Sequence, residues 1–306
     1  VAPGAAPEAT PATAPATTPA GAAAATPAVP AAPRAPDSAR GGRLYDSWRT
    51  ERKLSSTLAF DSPATPEPDG KGGPNGNGTL NDGRGRTMLN SGHDYRLRSF
   101  FGWDLRGKQG LSGPKYHGEK FVLEHNLLED TRSFEDLRTW LAQGDEQLPA
   151  YGQVLNDQDL DDLAAFLVES RDGRVARPEQ VFQLDASTPG NYRLRAGADA
   201  ARGAELFGFV CSDCHGNDGR KLPFDAGHTL GTFARERGYE AWFKIQNGLA
   251  GSPMKGQIVA KTGADAAQDV LDLLAALCDR KQFPRRDFVG VSDAPDGDPR
   301  CGKYLK

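Results

Sequence analysis

The chain has 306 residues, of which 38% are hydrophobic and 25% charged, with a formal net charge of −4. That length has room for two modest domains rather than one large one. No run approaches the ~20 apolar residues that span a bilayer, and no nucleic-acid motif is present, so neither a membrane span nor nucleic-acid binding is expected.

The chain begins at Val1 without an initiator Met, and any secretion signal is expected to have been removed. Residues 1–38 are nearly all Ala, Pro and Thr. They hold too little apolar surface to offset the entropy of ordering, so a disordered tail is expected. Extended at about 3.1 Å per residue, it reaches up to ~110 Å, which suits a tether as well as a solubilising tail.

The first helix begins around Ala39-Arg40-Gly41-Gly42-Arg43-Leu44-Tyr45. A Pro, Gly and Asn-rich segment from Ser62 to Arg86 then reads as a long loop. Around it Arg84, Arg86, Arg96, Arg98, Arg106 and Lys108 form a basic region, whereas 129–146 and 157–162 are acid-rich. Such a face can steer an acidic partner or simply be solvated. Asn156 with Asp159 reads as an N-cap with a first-turn acid, opening a helix with Leu160, Leu163, Ala164 and Leu167 on one face. Residues 175–196 read as a linker.

In the second half, Cys211-Ser212-Asp213-Cys214-His215 is a C-x-x-C-H run. Two thiols at this spacing can form thioethers to the vinyl groups of one haem, and the histidine after them can ligate its iron. A zinc site would want further Cys or His nearby, and a thioredoxin-like pair a βαβ frame; neither pattern is present. The run Tyr239 to Gly248 reads as a core helix with Trp242 and Ile245 on one face, and Val270, Leu273, Leu274 and Leu277 mark another. Haem attachment implies an oxidising, periplasm-like compartment. There Cys278 and Cys301 are expected to form a disulfide, the alternative being two free thiols.

The two halves repeat one another. Residues 39–45 match Ala201-Arg202-Gly203-Ala204-Glu205-Leu206-Phe207, and Phe101-Gly102-Trp103-Asp104-Leu105-Arg106 aligns with 215–220. Pro149-Ala150-Tyr151-Gly152-Gln153-Val154 aligns with Pro253-Met254-Lys255-Gly256-Gln257-Ile258. Three blocks in one order suggest duplication of one fold.

That order resembles class I c-type cytochromes: a helix with Gly203 and Phe207, the C-x-x-C-H run, a loop with Met254, and a closing helix that ends near Cys278. The resemblance implies an all-α fold of two tandem cytochrome c-like domains, 39–174 and 197–306, the first degenerate. The stretch Leu97 to Arg106 is similar to the C-x-x-C-H-G-W-D form of dihaem cytochromes. There Leu97, Phe100 and Phe101 stand at the positions of Cys211, Cys214 and His215, and Ala150, or Leu148 after a register shift, stands at that of Met254. Apolar side chains, with Trp103 nearby, are expected to fill the volume that a porphyrin would take. A non-covalent haem held by His93, His117 or His125 is the alternative.

For the second half the resemblance implies one covalent haem c, fixed by Cys211 and Cys214, with iron ligands His215 and Met254; His228 is the alternative distal ligand. Arg220 and Lys221 are candidates to pair with a propionate, and Phe207, Trp242 and Phe243 to pack near the haem. Met88 has no matching partner. The implied function is single-electron transfer in the periplasm, free or within a complex, to periplasmic or membrane-bound redox proteins, with the first domain as a docking or structural module. Alternatives are a haem enzyme acting on peroxide or a small sulfur or nitrogen compound, and a mainly structural assembly subunit.

Overall fold

A computed structural model describes residues 34–53, 79–81, 87–89, 96–111, 122–145, 148, 150–175, 177–222, 227–256, 263–285 and 292–306. The expected tail and most of the Ser62–Arg86 loop lie outside them, as do His93 and His117. The chain divides into units Val1–Arg34 and Ala35–Lys306, and every element described belongs to the second. Among the described residues the fold is mostly helical, with two small antiparallel hairpins.

The N-cap Asp37 starts α1 (Ser38–Arg52) by accepting from the Arg40 N–H at 3.0 Å. This places the helix start one residue before the expected boundary at 39. Strands β1 (Thr79–Asn81) and β2 (Thr87–Leu89) pair within and just after the segment expected to be a loop, and put Met88 on a strand. There follow α2 (Leu97–Phe101), α3 (Phe134–Gln143) and α4 (Asp157–Arg171). Helix α4 opens on a full capping box between Asn156 and Asp159, as its sequence predicts. Its apolar face, Leu160, Leu163, Ala164 and Leu167, is buried.

Residues 175–196 are more than a linker. They form α5 (Pro178–Val181) and the hairpin of β3 (Phe182–Leu184) with β4 (Tyr192–Leu194). Phe182 stacks on Tyr239 with ring centroids 4.2 Å apart, and Tyr192 meets Tyr239 edge-on at 4.7 Å. Burial of these rings turns a polar connection into part of the core. The remaining helices are α6 (Ala200–Val210), α7 (Ser212–His215), α8 (Leu230–Glu236), α9 (Gly238–Asn247) and α10 (Gly263–Leu277).

Two helix pairs organise the core: α1 packs on α4, and α6 on α10. Each crossing is closed by a glycine. A Cβ on Gly41 would lie 1.9 Å from the Asp162 carbonyl oxygen, and one on Gly203 would lie 1.9 Å from that of Asp272. Each glycine follows an arginine that bonds two aspartates of the facing helix. Arg40 reaches Asp159 at 2.6 Å and Asp162 at 2.5 Å; Arg202 reaches Asp269 and Asp272. Backbone N–H groups of Asp37 and Asp199 complete the sets, donating to Asp162 at 2.8 Å and Asp272 at 2.7 Å.

The halves share one core. Phe243 of α9 lies 5.7 Å from Tyr45 and 5.7 Å from Phe166, the rings of α1 and α4. Trp103 meets Phe243 at 5.2 Å, with the Arg98 guanidinium 4.4 Å from its own ring centre. Trp103, expected to fill space inside the first half, therefore packs against the second. Phe243 likewise turns toward the first half.

Cys278 and Cys301 are joined in a disulfide that ties the C-terminal segment to the end of α10. A small buried cluster of Ala275, Tyr304 and the two cysteines surrounds it. Two outcomes follow. Reduction of this bond should lower the unfolding free energy by about 3 kcal/mol from the entropy of a loop this long, as measured by denaturant titration with and without reductant. Gly203→Ala sets a helix-propensity gain of about 1 kcal/mol against overlap with a backbone carbonyl. Overpacking of about 1–3 kcal/mol or more dominates, so the variant should be destabilised in the same assay.

Candidate haem c site

The chain enters the C-x-x-C-H run from α6, whose N-cap Asp199 accepts from Ala201 and Arg202 at 3.0 Å each. Helix α7 is a single turn in which the His215 N–H donates to the Cys211 carbonyl at 2.9 Å. The turn stops at Gly216, whose φ of +77° favours glycine. A helix rather than a strand leads into the run, and among the described residues a Gly-containing loop rather than a helix follows it, unlike the βαβ frame of a dithiol redox site. Cys211, Cys214 and His215 thus share one turn. Cys211 is half-buried, Cys214 exposed and His215 buried.

The electrostatics separate Cys211 from a thiolate site. Burial, with a smaller push from Cys214, raises the Cys211 thiol to about 11, so it stays protonated at neutral pH. Redox-active and zinc-binding cysteines are instead held low. Burial also pushes the His215 pKa down, which keeps the imidazole neutral and able to donate a lone pair to iron. Among the described residues, no group of three or more His, Cys, Asp and Glu side chains converges as a cation site. One His and one Met suffice only where another group supplies the remaining donors, as four porphyrin nitrogens do.

Phe209 and Val210 stand exposed just before this turn and Leu222 just after it; among the described residues only Leu184 is a further large exposed hydrophobic. Apolar surface beside two unbonded thiols fits a site that an apolar macrocycle would cover. The donor set and its surroundings therefore fit a covalent haem.

Met254 is half-buried on the loop that follows α9. Gly248, at φ +90°, starts that loop; a Cβ there would meet the Met254 carbonyl oxygen at 2.4 Å. The Leu249 N–H donates to this carbonyl at 3.1 Å, and the Met254 N–H donates to Ser252 Oγ at 3.1 Å. His228, the alternative ligand, is buried with Nε2 2.9 Å from Glu236, which also accepts from Ser292. Arg220 is paired with Asp218, and Lys221 Nζ donates to the Asp213 carbonyl at 2.6 Å, so both propionate candidates are engaged within the chain. Phe207 packs edge-on against Phe283 at 4.7 Å.

The short turn α2 of the first half ends on a positive-φ glycine, as α7 does, but carries no Cys or His. Helix α2 ends at Gly102 with φ +76°, and Leu97, Phe100 and Phe101 are buried. Tyr45 Oη donates to the Gly102 carbonyl at 2.6 Å. Leu148 is buried and Ala150 partly so. His125 lies 2.7 Å from Asp130, beside Arg132 stacked 3.8 Å over Trp140.

Sequence reading missed Asp104, which aligns with the surface residue Asp218. Asp104 is fully buried; its Oδ2 accepts from the Leu111 N–H at 2.8 Å, and Oδ1 has no hydrogen-bond partner among the described residues. Burial raises its pKa to about 6, against the pull of the Leu111 hydrogen bond and the Arg106 charge. Between the ordinary carboxylate value of 3.8 and about 6, the folded chain keeps a proton that the unfolded chain has lost. Stability from this group is thus full below about pH 4 and falls as pH rises to about 6. Asp104→Asn removes the effect: relative to the parent, its unfolding free energy should rise by roughly 2–3 kcal/mol between pH 4 and 7.

Comparison of the chain with protein-family models, curated proteins and solved structures gave no match.

Proposed function

We propose that the second half binds one covalent haem c and serves as a periplasmic single-electron carrier, free or within a redox complex. The observation that carries this reading is α7: two unbonded thiols and a buried neutral histidine presented on one turn, in a chain whose other two cysteines are oxidised to a disulfide. Cys211 and Cys214 would hold the group by thioether bonds, and His215 would ligate the iron from the protein side. Met254, on its hydrogen-bonded loop, would supply the second protein ligand. Bound there, haem supplies a one-electron iron couple whose potential is raised by a His/Met ligand pair. With His215 and Met254 both holding it, the chain would keep small exogenous ligands out, which would favour electron transfer over chemistry at the iron.

The two halves, 39–174 and 197–306, are proposed to be tandem copies of one cytochrome c-like fold. Support comes from paired positions: Gly41 with Gly203 and Arg40 with Arg202 at the helix crossings, and Gly102 with Gly216 after the short turn. A further pair is Gly152 with Gly256. Cβ atoms there would lie 2.8 Å and 2.0 Å from the carbonyl oxygens of Ala142 and Gln246, which hold equivalent places in α3 and α9. In the first copy Leu97, Phe100 and Phe101 replace the haem-binding residues, which leaves a docking or structural module.

The pyridine haemochrome assay decides this. One haem per 32.7 kDa chain is expected, resistant to acidified organic solvent and lost in Cys211→Ser with Cys214→Ser. A colourless protein or an extractable pigment would remove the reading; two haems per chain would remove the degenerate first copy.

A further inference from the structure

The loop that carries Met254 is gripped from the other half of the protein. Arg43 of α1 donates from Nη1 to the Asn247 carbonyl at 2.9 Å and from Nε to Glu51 Oε1 at 3.0 Å. The second carboxylate oxygen of Glu51, Oε2, accepts from the Gly251 N–H at 2.9 Å. The Arg43 and Glu51 side chains are only 4% and 7% exposed. They lie on either side of Ser47, whose extended backbone (φ −158°, ψ 87°) interrupts α1.

Contact is close at both points. A Cβ on Gly42 would meet Asn247 Cγ at 2.3 Å, and one on Gly251 would meet the Thr50 carbonyl oxygen at 2.7 Å. Inside the loop, Ser252 N–H donates to the Leu249 carbonyl at 3.1 Å, and Leu249 in turn bonds Met254. A shift at Gly251 is therefore carried to Met254 through a closed set of short backbone links.

We propose that Arg43 and Glu51 are positioning residues for the Met254 thioether, so that the haem-less half sets how firmly the distal ligand is presented. This rests on the reading of the second half as a His/Met haem c site. A charge-assisted hydrogen bond from a backbone N–H to a carboxylate is among the stronger single links a loop can have. Its removal frees the loop at the turn before the ligand and leaves Arg43 without that partner.

The test uses holoprotein with three readouts: hydrogen exchange of the amides from Leu249 to Lys255, the ferric thioether charge-transfer band, and the rate of cyanide binding. In Glu51→Ala, exchange and cyanide binding should each quicken about tenfold, as expected for loss of one charge-assisted hydrogen bond. The band should weaken and the midpoint potential fall, while covalent haem content and helicity stay at parent values. Glu51→Gln keeps the volume and an acceptor oxygen, and should lie between the two. Gly251→Ala should shift all readouts the same way by pushing the loop off Thr50, and it decides the matter if Glu51→Ala does not fold. Parent-like exchange, band and cyanide rates in these variants would overturn the positioning role alone. A parent protein without covalent haem or without the band would overturn the haem reading together with it.

Discussion

The architecture depends on two places where helix backbones touch. At Gly203 and at Gly41 nothing larger than hydrogen fits between one helix and a carbonyl of its partner. Close approach alone would leave polar groups stranded. The adjacent arginine solves this by bridging two carboxylates on the facing helix, among which Asp162 and Asp272 are almost fully buried. Buried ion pairs add little over apolar packing in many proteins, but loss of one partner leaves an uncompensated charge and is severe. The arrangement therefore fixes register more than it adds stability. A helix that slid by one turn would offer neither the glycine notch nor the aspartate pair.

Much of this was legible in the sequence because it rests on local chemistry. The C-x-x-C-H spacing states its own geometry: α7 is one turn, and a turn puts those residues together. The Asn156 cap and both closing helices follow from residues a few positions apart. The Arg-Gly pair of α1 and α6 was visible as a repeat, and aspartates spaced alike in α4 and α10 were a signal that could have revealed their partners. What was not legible depends on distant residues. Phe182 and Tyr192 lie in a segment that reads as a linker, and they became core because Tyr239 lies across from them. Nothing in the sequence marks Asp104 as buried, yet the tight loop to Leu111 encloses it. Trp103 and Phe243 each looked like part of its own half, and only the packing shows them meeting.

On the proposed duplication, the interface between halves bears on why the first would be kept. Phe243 meets both Tyr45 and Phe166, so α9 packs on the first half as well as on α8 and α10. Helix α9 in turn leads directly into Gly248 and the Met254 loop. Removal of the first half would expose this aromatic cluster and strip away the bonds at Asn247 and Gly251 together. Leu97, Phe100 and Phe101 are all buried, and on the proposed duplication these apolar side chains would keep the first half compact beside its neighbour.

On this view the two halves have divided what a single domain must otherwise do alone. A small domain built around a cofactor has to bind it and also hold the loop that closes over it, with few residues for either task. In the proposed site α7 would present the covalent and proximal groups beside one helix pair, while α1 of the other pair braces the Met254 loop. The brace runs through Arg43 and Glu51 of α1, apart from the α6–α10 crossing, so changes there are expected to act on the Met254 loop first. Anything that moved α1, including a partner docked on the first half, would reach Met254 by the same bonds.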